Sequence, residues 1–152
     1  MQIKEKVNLG MLQNPNLDLT EQLLKGADII ASEMRENVKD GLDVHDVPLT
    51  PNKEEYAKWK QRKFGHAKPL IAKYKKLISS SSYKITKVKM NHVKIALPDR
   101  HPDSGLTIGQ IAYIHNYGLG RNPVRKFVGA TKHAVERIVK YLTDYITRLL
   151  KK

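Results

Sequence analysis

Ile111-Ala112-Tyr113-Ile114-His115-Asn116-Tyr117-Gly118 is followed after four residues by Pro123-Val124-Arg125-Lys126-Phe127-Val128-Gly129. The first stretch predicts a short helix that stops at Gly118, because glycine takes the left-handed conformation that ends helices. The second predicts a proline-stiffened connector that holds Arg125 between apolar anchors and places Phe127 within reach of a core. Beyond it Thr131 suits a helix cap, and Val135, Ile138, Val139, Leu142, Tyr145, Ile146 and Leu149 form a helical apolar stripe. Glu136 with Lys140 and Asp144 with Arg148 are oriented as i,i+4 pairs on the outer side. The chain therefore ends in a long helix, with Leu142 and Ile146 expected against an earlier one.

Toward the N-terminus, Leu23, Leu24, Ala27, Ile30, Ala31, Met34 and Val38 lie on one face of a helix expected over Asp18–Lys39. Asp18 and Glu21 have capping-box spacing, Gly26 weakens the helix slightly, and Gly41 is the stop. Ile30 and Met34 form the face expected to receive Leu142 and Ile146. Residues 1–17 contain the breaker Asn14-Pro15-Asn16 and are expected as a flexible arm. A second, basic helix is expected from Asn52 to Phe64, with Thr50 as cap and Pro51 at its first position. Tyr56, Trp59, Lys60 and Phe64 are expected inward, and Gly65 ends it. Residues 66–82 mix helical spacing (Leu70, Ile71, Tyr74, Leu77, Ile78) with Pro69 and a run of four serines, and a mobile segment is expected there. Tyr83–Met90, slipping one residue near Thr86-Lys87, and Val93–Leu97 predict two strands joined at Asn91-His92. The expected architecture is a single α+β domain: a small antiparallel sheet packed by a long N-terminal and a long C-terminal helix, plus short helices.

Length and composition narrow the function classes. A chain of 152 residues has room for one domain with a core. No apolar run approaches the roughly 20 residues that cross a bilayer, and the first residues lead into no signal-peptide segment. The absence of cysteine excludes disulfides and thiolate metal sites. Together these predict a chain that works inside the cell where it is made. The net charge of +13 is uneven: −4 over residues 1–51, +11 over 52–94 and +6 over 95–152. Such a basic block attracts an anionic partner, nucleic acid or an acidic protein surface; a solvated lysine-rich face is the plainer alternative. Lys58, Lys60, Arg62, Lys63, Lys73, Lys75 and Lys76 are the candidate basic-surface residues.

No catalytic constellation stands out. The six histidines (45, 66, 92, 101, 115 and 133) have no ligand spacing on one element, so neither a metal nor a cofactor is expected. Asp99-Arg100-His101-Pro102-Asp103 mixes charges on a loop, but a Pro- and Asp-rich turn accounts for it as well as phosphate chemistry does. Phosphate-cradling glycine motifs and a nucleophile elbow are lacking. Arg121, Pro123 and Arg125 are the candidate assembly-interface residues: an arginine in a rigid connector can meet carboxylate or phosphate in a fork. An internal salt bridge that pins the connector is the equal alternative.

The order of the short I-A-x-I-H-x-x-G helix, the P-x-R-x-F-x-G connector and the terminal helix resembles the phage virion morphogenesis family, the Mu-like tail-completion proteins. Pro48-Leu49-Thr50-Pro51, the basic helix and Lys68-Pro69-Leu70-Ile71 extend the resemblance over about residues 18–150. Where the family commonly has a Thr-Gly turn after its Lys-Pro pair, this chain reads Ala72-Lys73-Tyr74-Lys75-Lys76-Leu77. The resemblance implies a non-catalytic structural protein of the virion, assembled in the host cytoplasm. It would join head to tail as a ring, six copies by expectation, between neck or connector proteins and the tail tube. The basic block would then line the DNA channel with non-specific backbone contact. The alternative is a stand-alone basic nucleic-acid-binding protein.

Overall fold

The computed structural model describes residues 18–150, so the expected N-terminal arm lies outside the described residues. In chain order, α1 (Thr20–Asp40) and α2 (Glu54–Phe64) are followed by two short 3-10 turns (Lys76–Ile78 and Ser80–Ser82). A hairpin of β1 (Lys84–Lys89) and β2 (His92–Ala96) comes next, then α3 (Ile108–Tyr117) and α4 (Lys132–Leu150). The protein has the α+β architecture, with an antiparallel two-stranded sheet and long helices at both ends.

Glycines end three helices as their positions predict: Gly41, Gly65 and Gly118 are all left-handed. At Gly118 the space also matters, since a Cβ would stand 2.7 Å from Cγ2 of Val124. The starts are less regular. Asp18 Oδ1 accepts the Thr20 N–H, but Glu21 pairs with Lys25 and closes no capping box. The complete capping box is at α3, where Thr107 and Gln110 bond reciprocally and start the helix three residues before Ile111. Thr131 caps α4, its Oγ1 accepting the Ala134 N–H. Thr50 and Pro51 do not start α2, which begins at Glu54. Their carbonyls are acceptors for Arg125 instead.

The hairpin pairs Lys84 with Ala96 through Lys89 with His92, and its register slips between Lys87 and Lys89, one step beyond the expected bulge. Asn91 takes the left-handed turn position. One apolar cluster joins Val38, Leu49, Ile71, Leu77, Ile108, Ala112 and Phe127. A second joins Ala31, Met34 and Tyr83 to Ile30, Ile85 and Ile95, and Leu97 packs on both. Residues 66–82 form no continuous helix, and Ile71, Leu77 and Ser82 are buried in this framework.

The packing of α4 departs from expectation. Ile30 and Met34 face the hairpin, so α4 crosses α1 elsewhere. Ile138 packs over Gly26. Buried Glu33 accepts hydrogen bonds from the Thr131 hydroxyl and from Arg137 at 3.1 Å, and pairs with His133 at 2.9 Å. Ala134 is fully buried, whereas Val135 and Val139 are 47% and 57% exposed. With Leu149, three of the seven positions of the apolar stripe are therefore exposed. Glu136 pairs with Lys132 instead of Lys140, and Arg148 Nε donates to the Asp144 carbonyl.

Candidate functional site

The connector is anchored on both sides of Arg125. Phe127 is 1% exposed in the larger core cluster, as its position predicts. The Arg125 N–H donates to the His115 carbonyl at 2.9 Å, which holds the connector along α3. This directs the guanidinium inward, where Nε donates to the Thr50 carbonyl at 2.8 Å. Nη2 donates to the Pro51 carbonyl at 3.1 Å and to Asn52 Oδ1 at 3.2 Å. Arg125 is thus 4% exposed. Of the two expectations, the internal anchor is the one formed, with neutral oxygens in place of a carboxylate. Arg121 is exposed, and Pro123 is partly buried beside it.

Lys60 differs more sharply from its expectation as a surface cation. It is 2% exposed, and its ammonium donates to the carbonyls of Lys68 and Ile71. Tyr56 and Trp59, expected inward, are the exposed ones, at 48% and 40%. The reason is tertiary: residues 67–71 fold back over α2 and present two carbonyls, which a long ammonium side chain can satisfy and an aromatic ring cannot. Asn52 Nδ2 donates to the Ala67 carbonyl and ties the same return to the Arg125 anchor.

These two anchors floor a cleft of about 900 Å³ between residues 50–60, 70–77 and 120–125, with α3 behind it. Of the candidates, Lys60, Lys75, Lys76, Arg121, Pro123 and Arg125 line it. Lys58, Arg62 and Lys63 lie outside it on the exposed side of α2, where Lys58 pairs with Glu54 and Lys63 sits 5.2 Å from the Trp59 ring centre. Lys73 also lies outside the lining and turns to the Tyr74 ring. Lys53, Asn52, Tyr74, His101 and His115 add further polar groups to the lining. They escaped sequence reading as one site because they belong to four separate segments. His115 stood inside the most informative motif and was the available signal.

Among the described residues no Asp or Glu lines the cleft. Burial pushes Lys60 below its ordinary pKa, and the neighbouring Arg125 adds to the effect. His115 is lowered by burial first and then by Arg125 and Lys60. His66 is lowered by burial, with Lys60, Lys75 and Lys68 adding to it. The buried Nδ1 atoms of His115 and His66 have no hydrogen-bond partner among the described residues. The wall is strained as well: Leu70 and Lys75 both have positive φ, at 60° and 50°.

The mixed-charge loop, which reaches the cleft through His101, is tied up locally. Asp99 pairs with Lys76 at 3.8 Å, Arg100 donates to the Gly105 carbonyl, and Asp103 accepts from Tyr74 at 3.0 Å. Among the described residues no three His, Asp or Glu side chains converge as a metal site, and no helix is long and apolar enough to cross a membrane. No protein-family model matches the chain, and no curated protein or solved structure gives a significant match.

Proposed function

We propose that this chain is a non-catalytic phage virion assembly protein that completes the tail at the head–tail junction, as one subunit of a ring around the DNA channel. The observation that carries the reading is the exposed part of the α4 stripe. Val135, Val139 and Leu149 are 47%, 57% and 38% exposed, and half-buried Leu142 and Ile146 join them into one stripe. An isolated domain gains nothing from apolar surface in water, whereas a packed subunit buries it against a neighbour. Lys58, Arg62 and Lys63 on exposed α2 supply cations for backbone contact with passing DNA. Neck or connector proteins and the tail tube are the partners, and the virion is the site of action.

Particles assembled without the chain should appear by electron microscopy as separate heads and tails. Val139→Glu should give the same defect while leaving the melting temperature of the isolated protein unchanged. Joined particles without the chain would refute the role. A protein that stays monomeric at high concentration and binds DNA with a steep salt dependence would instead be a stand-alone nucleic-acid-binding protein.

A further inference from the structure

We propose that the basic cleft is a binding site for a carboxylate carried on an extended acidic peptide segment, seated between Lys60, Arg125 and His115. Among the described residues, six Lys or Arg and two histidines line this cleft and no carboxylate does, Lys76 alone of the six having an acid, Asp99, at 3.8 Å outside the lining. Cations buried in a protein are ordinarily paired with anions. Here the two most buried ones, Lys60 and Arg125, are satisfied in part and by neutral groups: carbonyl and amide oxygens, and for Lys60 also the Tyr56 ring at 5.8 Å. Lys60 donates two of its three ammonium protons to carbonyls. The Arg125 Nη1 group has no acceptor among the described residues. Beside them lies the unpartnered Nδ1 of His115. The open donors of Lys60 and Arg125 and their uncompensated charge lie in one cleft, and an anion answers both.

The walls select the kind of anion. Leu70, Ile71, Ile108, Ile111 and Pro123 surround the cations with apolar surface. Lys60 and Arg125 are recessed, at 2% and 4% exposure. A phosphate of duplex DNA is flanked by bulky sugars and cannot descend alone between such walls. A glutamate carries its carboxylate on a thin aliphatic stem that suits them, and its planar oxygens match a guanidinium edge. Arg121 and Lys75, both exposed, stand ready for further acidic residues of the same segment.

The test uses the full chain and an end-blocked hexaglutamate peptide, with His115 followed by NMR and affinity by calorimetry. Seating a carboxylate should raise the His115 pKa, reversing the effect of its two cationic neighbours. The Arg121→Gln, Lys75→Gln double variant removes two exposed charges without touching the anchors, so it should fold normally. It should bind the peptide about tenfold more weakly. An unmoved His115 or an unchanged affinity in the double variant would overturn the proposal. Inorganic phosphate that matches the peptide in affinity would reduce the cleft to a bare anion site. Short duplex DNA that displaces the peptide and itself raises the His115 pKa would assign the cleft to nucleic acid. These readouts concern residues other than the α4 stripe, so the tail-completion reading and this one can fail separately.

Discussion

Arg125→Ala removes the side chain that fastens the connector to the segment before α2, and its cost can be worked from the contacts. Three hydrogen bonds are lost, at 2.8, 3.1 and 3.2 Å, to Thr50, Pro51 and Asn52. A bond from a charged donor contributes about 1.5–3 kcal/mol net, so the sum sets an upper bound. Two effects reduce it. The cleft admits water, which can hydrate the freed carbonyls, and loss of the guanidinium relieves its repulsion of Lys60. A destabilisation of about 2–4 kcal/mol remains, comparable to truncating a buried phenylalanine such as Phe127 at about 3–5 kcal/mol. For a domain of this size that lowers Tm by roughly 4–16 °C. Circular dichroism melts of the wild type, Arg125→Ala, Arg125→Lys and Arg121→Ala provide the assay. Lysine cannot reproduce the fork, so Arg125→Lys should fall between wild type and alanine. Exposed Arg121 should melt like wild type. If Arg125→Ala melts within a degree of wild type, the guanidinium is not an anchor, and the account of the connector fails.

Three further outcomes follow from the geometry. Burial alone would raise the Glu33 carboxyl, but hydrogen bonds from Thr131, Arg137 and His133 together outweigh it and hold its pKa below the ordinary 4.5. A depressed carboxyl stabilises the fold above its unfolded pKa and loses that contribution as pH falls through the folded one. Urea midpoints should therefore drop below about pH 4.5, and Glu33→Gln should flatten that acid limb; an unchanged limb would refute the assignment. Gly118→Ala should cost more than Gly41→Ala in chemical denaturation. Both carry a left-handed penalty of about 1–2 kcal/mol, but only at Gly118 would the new Cβ meet Val124, at 2.7 Å. Gly26→Ala should raise stability by about 0.5–1 kcal/mol, because a Cβ there meets Ile138 at an ordinary 3.6 Å; a lower melting temperature would show that the α1–α4 contact tolerates no added atom.

Much of the fold was legible because its signals are local. The glycine stops at Gly41, Gly65 and Gly118, the Thr131 cap and the slipped hairpin each depend on a few neighbouring residues. Periodicity located α1 and α4, yet it misassigned what their faces meet. The seven apolar positions of α4 span more of its circumference than one neighbour covers, so α1 takes Ala134 and Ile138 and leaves Val135 and Val139 outside. The candidate site was half legible. Arg121, Pro123 and Arg125 were visible as a rigid connector, but their meeting with Lys60, Lys75 and Lys76 was not.

By itself, the sequence determined where the first three helices stop, which strands pair, that the fold is α+β and that the middle third is strongly basic. These follow from backbone sterics, side-chain period and charge, which act within a few residues. The tertiary structure alone decided which cations are buried. Lys60 looked like the other lysines of a basic helix until the return of residues 67–71 laid two carbonyls over it, 8 and 11 residues along the chain. Arg125 found its acceptors more than 70 residues away, at Thr50, Pro51 and Asn52. Burial of a charge depends on which distant oxygens the folded chain brings within hydrogen-bond reach, and no local pattern encodes that distance.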